Sequence, residues 1–508
     1  MNIRDYILPL ALALGTVFLF KHFWSGSNQD AGTSFVAPLT AQEQEPLRTE
    51  IDFIDEEVLA SGQDVVVSTN YADFTFSSNG AVMSHALFKR QVRNEVQTFE
   101  VIGNPVIQDR QAQAFLVALD EKTPFNYTFE GRSDDDATIK IRYSAKTAAG
   151  TLEKEFIVYK NSYKIDLALT VTPHAGMIMR PRLIWPAPFL EVIKDEETLS
   201  AVIFDKVGSY SKKAEKSINM REGYFAPTMF GAEDKYFIHS MVEDANQFTY
   251  RAYFKLVDKQ ILSILESQPV TETKKWTVSF YMGPKEVDTI APVAPALEKV
   301  LDYGFFSPVA KGMLYLLKLC NNYVNNFGVA IILITLLLKL LLLPFTFKGE
   351  QKARKAEAYY KKLSYIQQKY KDDAQALNAA RAELVQNEGV PGLGGCLPLF
   401  LQIPFFMGLS GALNNSIELY KAPFVFWIKD LSMKDPFYVL PVLIGVGFLL
   451  VMLSSKQNVN FKQFIQSAGM ALLFAAWMST TAAGLALFIV ANVLLHFAQT
   501  RIQKAFGL

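Results

Sequence analysis

Apolar residues run almost unbroken along some stretches of this chain and alternate with polar ones along others. A membrane span needs about 20 mostly apolar residues. Six stretches qualify: 6–24, 328–347, 397–417, 436–453, 467–483 and 484–499. The last two nearly touch across "STTAAG", 479–484, which fits a tight hairpin. The first ends in Lys21, His22, Phe23 and Trp24 with no small-residue cleavage site, so it reads as an uncleaved signal anchor. Between the first two stretches the texture is different. "DFTFSSNGAVMSHALF", 73–88, alternates and carries Asn79-Gly80, a strong hairpin signal. "KIRYSA", "EFIVYK", "YKIDLALTVT" and "WTVSFYMG" continue the alternation, and helical periodicity is weak until about 294. Many strands with turn signals predict a β-sandwich over 62–300.

Charge then orients the spans, because lysine and arginine collect in cytoplasmic loops. The segment 348–395 holds nine of them, loop 454–466 adds Lys456 and Lys462, and the tail adds Arg501 and Lys504. With six spans all three fall on one side, so both termini are expected in the cytoplasm and 25–300 outside. Residues 25–61 are acidic and polar and read as a flexible linker.

Composition mostly excludes. The 50 basic residues balance 50 acidic ones, and no basic patch with interleaved aromatics appears, so nucleic-acid recognition is not expected. Cys320 and Cys396 fall on opposite sides of the membrane in this topology and cannot pair. The five histidines are scattered without HExxH or cysteine companions, so no metal and no cofactor is expected. Residues 209–212 show S-x-x-K spacing, but S-D-N and K-T-G are missing, and it reads as chance. Gly392, Gly394 and Gly395 lack the Lys-Ser/Thr of a P-loop. Nothing identifies an enzyme.

Two amphipathic segments flank the second span. Residues 305–327, broken by Lys311 and Lys318, predict an interfacial helix within 301–327 on the outer surface. Residues 349–388 predict a cytoplasmic helical hairpin. Its first helix is expected to put Ala356, Tyr360, Leu363, Ile366 and Tyr370 on one side, with Arg354, Lys355, Lys361 and Lys362 among its charges. Asp372 and Asp373 supply the cap for the second helix. The hairpin is either a solvated positive-inside loop or a receiving surface for a polypeptide or ribosome.

Lys339 interrupts the span "AIILITLLLKLLLLPFT". It lies eight residues before Phe347, roughly 12 Å of helix. A charge at a span centre costs about 2.5–3.5 kcal/mol on insertion scales. Snorkelling to the interface is one answer, but four leucines and Pro344 must be passed. No Asp or Glu lies in the five C-terminal spans, so a water-filled cavity is the other. Thr335 is one turn earlier on the same face. Gln402, Asn414, Asn415, Ser479, Thr480, Thr481 and Asn492 are the further polar residues in or near the spans that could line it. Such a cavity would suit a passing carboxylate.

These stretches resemble the YidC family of membrane protein insertases. "NNFGVAIILITLLLKLLLLPFT", "YKDDAQ", "GLGGCLPLFLQIPFFMGL" and "APFVFWIKDLSMKDPFYVLPVLIGV" carry the resemblance, with "GYFAPTMFGAEDKYFIHS" and "FYMGPKE" in the external part. The resemblance implies a mixed fold: a polytopic α-helical membrane domain of six spans, five of them an insertase core at 328–508, with the all-β sandwich in the periplasm. It implies an inner-membrane insertase and chaperone, working alone or with the SecYEG/SecDF translocon, whose substrates are nascent membrane proteins. Ribosome and signal recognition contacts are implied possibilities for the hairpin. Lys339 occupies the position of a functional groove arginine. Lysine keeps that charge but loses the bidentate fork. An aromatic substrate contact maps to Phe488 when aligned from Asn492 and to Ile489 when aligned from Gly484. The first hairpin helix lacks the usual Gln-Pro, and "TTAAG" replaces the usual aromatic-Pro-small-Gly turn. The rival readings are a transporter or channel with an external binding domain, and a membrane-anchored envelope scaffold.

Overall fold

The computed structural model describes residues 46–54, 62–92, 95–102, 113–120, 122–188, 199–257, 260–301, 303–389, 397–454 and 460–506. The chain divides into two compact units, Met1–Asp302 and Tyr303–Leu508. The expected first span, 6–24, lies outside the described residues.

The first unit is built from antiparallel sheets. A nine-stranded sheet runs in the order 210–214, 200–204, 229–233, 237–244, 274–284, 164–173, 150–159, 138–146, 128–134. A five-stranded sheet and the four-stranded sheet of 64–102 complete it. Alternation is visible where one face is covered: along Thr138–Lys146 every second residue is buried. Phe156 pairs with Leu167, Leu167 with Val278, and Ile165 with Phe280, so Phe156 and Phe280 share one face of the large sheet. Both smaller sheets cover that face. Phe76 of the four-stranded sheet meets Phe156 at 4.7 Å between centroids, and Trp185 of the five-stranded sheet meets Phe280 at 5.1 Å. The expected sandwich is thus present, with one layer divided in two. The Asn79-Gly80 signal forms the turn between Ala72–Ser77 and Val82–Val92, with Gly80 at φ +79°.

Part of the stretch expected to be a flexible linker is docked. Residues 46–54 lie across this unit, their carbonyls gathered by distant side chains. Arg182 Nη1 donates to the carbonyls of Arg48 and Glu50, Tyr253 Oη to that of Arg48, and Lys255 Nζ to that of Thr49. Ile51 is buried, and the Phe53 ring packs edge-on against Phe125. Fixed cationic donors on the sheet thus hold a segment whose own composition is that of a solvated chain.

The second unit is helical: α1 (Ser307–Val324), α2 (Phe327–Lys369), α3 (Ala374–Glu388), α4 (Leu397–Asn415), α5 (Val439–Ser454), α6 (Phe461–Met478) and α7 (Ala483–Phe506). Among the described residues, 327–347 and 483–502 are long and apolar enough to cross a membrane, and 439–453 and 463–478 are apolar but shorter. The asparagines after α1 act as punctuation. Asn325 ends that helix in the left-handed conformation, and the Asn326 side chain accepts from Gly328 N and Val329 N to start α2. Helix α1 buries Ala310, Met313, Leu314 and Leu317 at i, i+3, i+4, i+7 spacing and packs on α2 and α4. Its Lys318 pairs with Glu418 at 2.9 Å.

Two expectations shift. Helix α2 does not stop at the end of its apolar run; it continues through Pro344 into the first arm of the charged hairpin as one 43-residue helix. Good helix formers after 349 carry it on. On that arm Tyr359 is buried and Tyr360 is 57% exposed, so the inward face is 356, 359, 363, 366, 370. Asp373 accepts from Gln375 N and Ala376 N to begin α3.

Candidate functional site

Helices α2, α4 and α7 meet around a cavity of about 350 Å³, open solvent at its mouth included. Helix α2 contributes Thr335, Leu338, Lys339, Leu342 and Thr346, α4 contributes Gln402, Phe405 and Phe406, and α7 contributes Phe488 and Asn492. The α2 residues recur at i, i+3, i+4, i+7, i+11, the spacing of one helix face. That face explains why a lysine is half-buried here: it points between helices rather than toward lipid.

The walls are mixed in character. Phe406 and Phe488 stand 5.9 Å apart between centroids, and Phe488 is buried. Thr335 Oγ1 donates to the Ile331 carbonyl of its own helix at 2.6 Å, so its hydroxyl hydrogen is used while the oxygen still faces the cavity. At the other end Gln499 Nε2 donates to Thr346 Oγ1 at 3.2 Å, tying α7 to α2. An ammonium, two amides and two hydroxyls thus face three phenyl rings and two leucines. Such a space can hold a polar or acidic chain segment while its apolar neighbours touch the aromatic wall.

Of the expected residues, Lys339, Thr335, Gln402, Asn492 and Phe488 come together here, while Ile489 is not in the wall. Asn414 does not join them: its amide turns back along α4 toward Ser410 Oγ at 3.5 Å. Ser479, Thr480 and Thr481 likewise donate to carbonyls of their own helix, Ala476, Trp477 and Met478. Thr346, Phe405, Phe406 and Gln499 were missed. The face spacing from Lys339 would have found Thr346; the phenylalanines sit in an apolar run that gives no hint of their direction.

The opposite end of the helices is closed by loop 416–438. Asp435 accepts from Trp427 Nε1 (3.0 Å), Phe437 N (3.1 Å) and Leu440 N (2.7 Å), capping α5. The carbonyls of Leu431 and Met433 accept from Gly484 N and Ala483 N, which pins the start of α7.

Two family models divide the chain between them. One described as YidC periplasmic domain matches 64–316, and one described as 60Kd inner membrane protein matches 319–506. The chain belongs to the YidC family. It is 28% identical over 482 residues to a "Membrane protein insertase YidC" of Geobacter metallireducens, covering 88% of this chain and 87% of that one. A protein of the same description from Geobacter sp. strain M21 is 34% identical over 52% of this chain and 50% of its own length. A solved structure described as an active YidC insertase with the first transmembrane domain resolved aligns over 89% of this chain and 94% of that one, at 17% identity and a TM-score of 0.38.

Within this YidC family chain, the hairpin of α2 and α3 carries Lys355, Lys361 and Lys362 exposed, and Lys362 contacts Glu388. The Arg354 side chain, the glycines at 392–395 and Cys396 lie outside the described residues. Asp372 is exposed. In the β unit Lys212 of the S-x-x-K stretch is held by Glu233 at 2.6 Å, which accounts for it structurally. Among the described residues no group of three His, Cys, Asp or Glu could hold a metal.

Proposed function

We propose that this chain, a non-enzymatic membrane protein insertase of the inner membrane with a periplasmic domain, works through the Lys339 cavity. The observation that carries the reading is a half-buried cation between three spans, faced by Gln402, Asn492 and an aromatic wall. A charge in apolar surroundings costs several kcal/mol unless water or a polar partner answers it. Polar groups of the wall and water do so while the cavity waits, and the polar extracellular part of a substrate does so in transit. The apolar segment behind it then leaves sideways into lipid.

The rest of the layout follows. A signal anchor (1–24) and a linker that ends in the docked segment 46–54 lead to the sandwich (62–300). The α1 region (301–327) lies at the outer interface, with Tyr315 and Tyr323 exposed toward lipid headgroups. The core is 328–508, and lysine placement sets both termini in the cytoplasm across six spans. The basic hairpin is a receiving surface for nascent chains and the ribosome, and the protein works alone or with the Sec translocon, with the signal recognition pathway as a further partner.

In cells depleted of their own insertase, Lys339→Arg should support insertion of a small substrate with an acidic tail. Lys339→Leu should lower it about tenfold, the loss of roughly 1.4 kcal/mol of interaction with the charge. Glu in place of Lys339 should do worse. Full activity of the Leu and Glu variants would remove the cavity from the mechanism. Deletion of the sandwich proving harmful while those variants are harmless would support the scaffold alternative.

A further inference from the structure

The bond between Gln499 and Thr346 spans 153 positions in sequence. The same offset sets Lys339 beside Asn492 and Thr335 beside Phe488, and all four line the cavity. Helices α2 and α7 therefore run side by side in one direction, with 335–339–342–346 turned toward 488–492–499. His496 follows Asn492 by four residues and precedes Gln499 by three, so helical spacing sets it at the edge of the second face, next to the residues that line the cavity. It is half-buried, level with the turn between Leu342 and Thr346, and within electrostatic reach of the Lys339 ammonium. The flexible lysine stem lets that ammonium reach one turn toward it. Helices α4 and α5 also pack on α7, and neither carries an ionisable side chain. Along 327–347 of α2 and 483–500 of α7, Lys339 and His496 are the charged or imidazole side chains.

We propose that Lys339 and His496 form a two-point seat for a carboxylate on the translocated part of the substrate. The inference rests on the cavity being the insertion groove. The ammonium takes one carboxylate oxygen and an imidazole N–H the other. A neutral imidazole has that donor, so the seat works without protonation of the ring. A single cation attracts an anion from any side, whereas two donors from different helices fix its position. The seat thus favours acidic tails over neutral ones of the same length.

The test uses the full chain in liposomes and a single-span substrate whose short translocated tail carries either two Asp or two Asn. Insertion is read as the protease-protected fraction. His496→Leu should lower insertion of the Asp tail about tenfold or more, the effect of one lost hydrogen bond to a charge, and leave the Asn tail unchanged. His496→Gln keeps an N–H near the same place and should restore most of the preference. Equal loss for both tails would make His496 a packing residue and overturn the seat. Lys339→Leu harming the Asp tail while His496→Leu does not would overturn the seat alone. No effect of Lys339→Leu on either tail would remove the groove reading and the seat with it.

Discussion

Replacing Lys154 by methionine should destabilise the β unit by about 3 kcal/mol or more, on values of about 1–3 kcal/mol for each buried acceptor left unpaired. Lys154 is 1% exposed, on the strand Gly150–Tyr159. Its Nζ donates to the carbonyls of Gly80 (2.8 Å), Ala81 (2.9 Å) and Phe115 (2.8 Å) and stands 4.9 Å from the centre of the Tyr127 ring. All three carbonyl owners have positive φ: +79°, +43° and +70°. For Ala81 and Phe115 that conformation costs about 1–2 kcal/mol each. The lysine therefore joins two turns that would otherwise relax, one after Ser77 and one before Leu116. Burial pulls its pKa well below the usual lysine range, so the carbonyls and the ring face are what offset desolvation. Methionine keeps the stem and removes the donors. Relaxation of the turns recovers part of the loss, which keeps the cost near the lower end of the sum for three buried carbonyls, about 3 kcal/mol.

Urea unfolding of the intact chain in detergent, followed by hydrogen exchange in peptides covering 78–88 and 113–119, measures this. With a slope of about 2–3 kcal/mol per molar urea, the midpoint should fall by about 1 M or more. Both peptides should lose protection together, because one side chain serves both. A methionine variant with an unchanged midpoint would show that the three carbonyls do not depend on the ammonium, and would refute the anchoring role of Lys154.

Three further outcomes follow. Burial pushes the Asp234 carboxyl up to about 7, although its Oδ1 accepts from Tyr236 N and Phe237 N. The native unit holds that proton where the unfolded chain has lost it, so the contribution is full below about pH 4 and disappears as pH rises through about 7. Asp234→Asn should flatten this fall in melting temperature between pH 5 and 8; an unaltered slope counts against it. A Cβ at Gly328 would stand 2.0 Å from Phe424 Cδ2, so Gly328→Ala must displace the ring, at a cost of about 1–3 kcal/mol. Faster exchange in loop 420–431 is the expected sign, and wild-type protection would contradict it. Arg182→Met removes donors to Arg48, Glu50 and Leu119, and should raise exchange in 46–54 at least tenfold for about 1.4 kcal/mol lost. Unchanged exchange there would mean that other contacts hold the segment.

What could be read from the sequence depended on whether the signal was local. Strands such as Thr138–Lys146 announce themselves because one face is buried and the other is not, and period two needs no partner to be seen. The docked segment 46–54 could not be read, because its hold comes from Arg182 and Lys255, 134 and 206 positions away from the carbonyls they take. On the hairpin the expected face holds at 356, 363, 366 and 370 and fails at one position, since Tyr359 and Tyr360 are chemically alike and only packing chooses between them. The cavity divides in the same way. Lys339 stood out because a charge in an apolar run is an exception in its own neighbourhood. Asn414 stood out by the same rule and faces elsewhere, while Thr346 sits where a polar residue is ordinary and lines the wall. An anomaly therefore marks where a helix departs from lipid chemistry, but not which neighbour it turns toward. That second fact is carried by the offset between α2 and α7, a single number set by packing, and it converts scattered polar residues into one site.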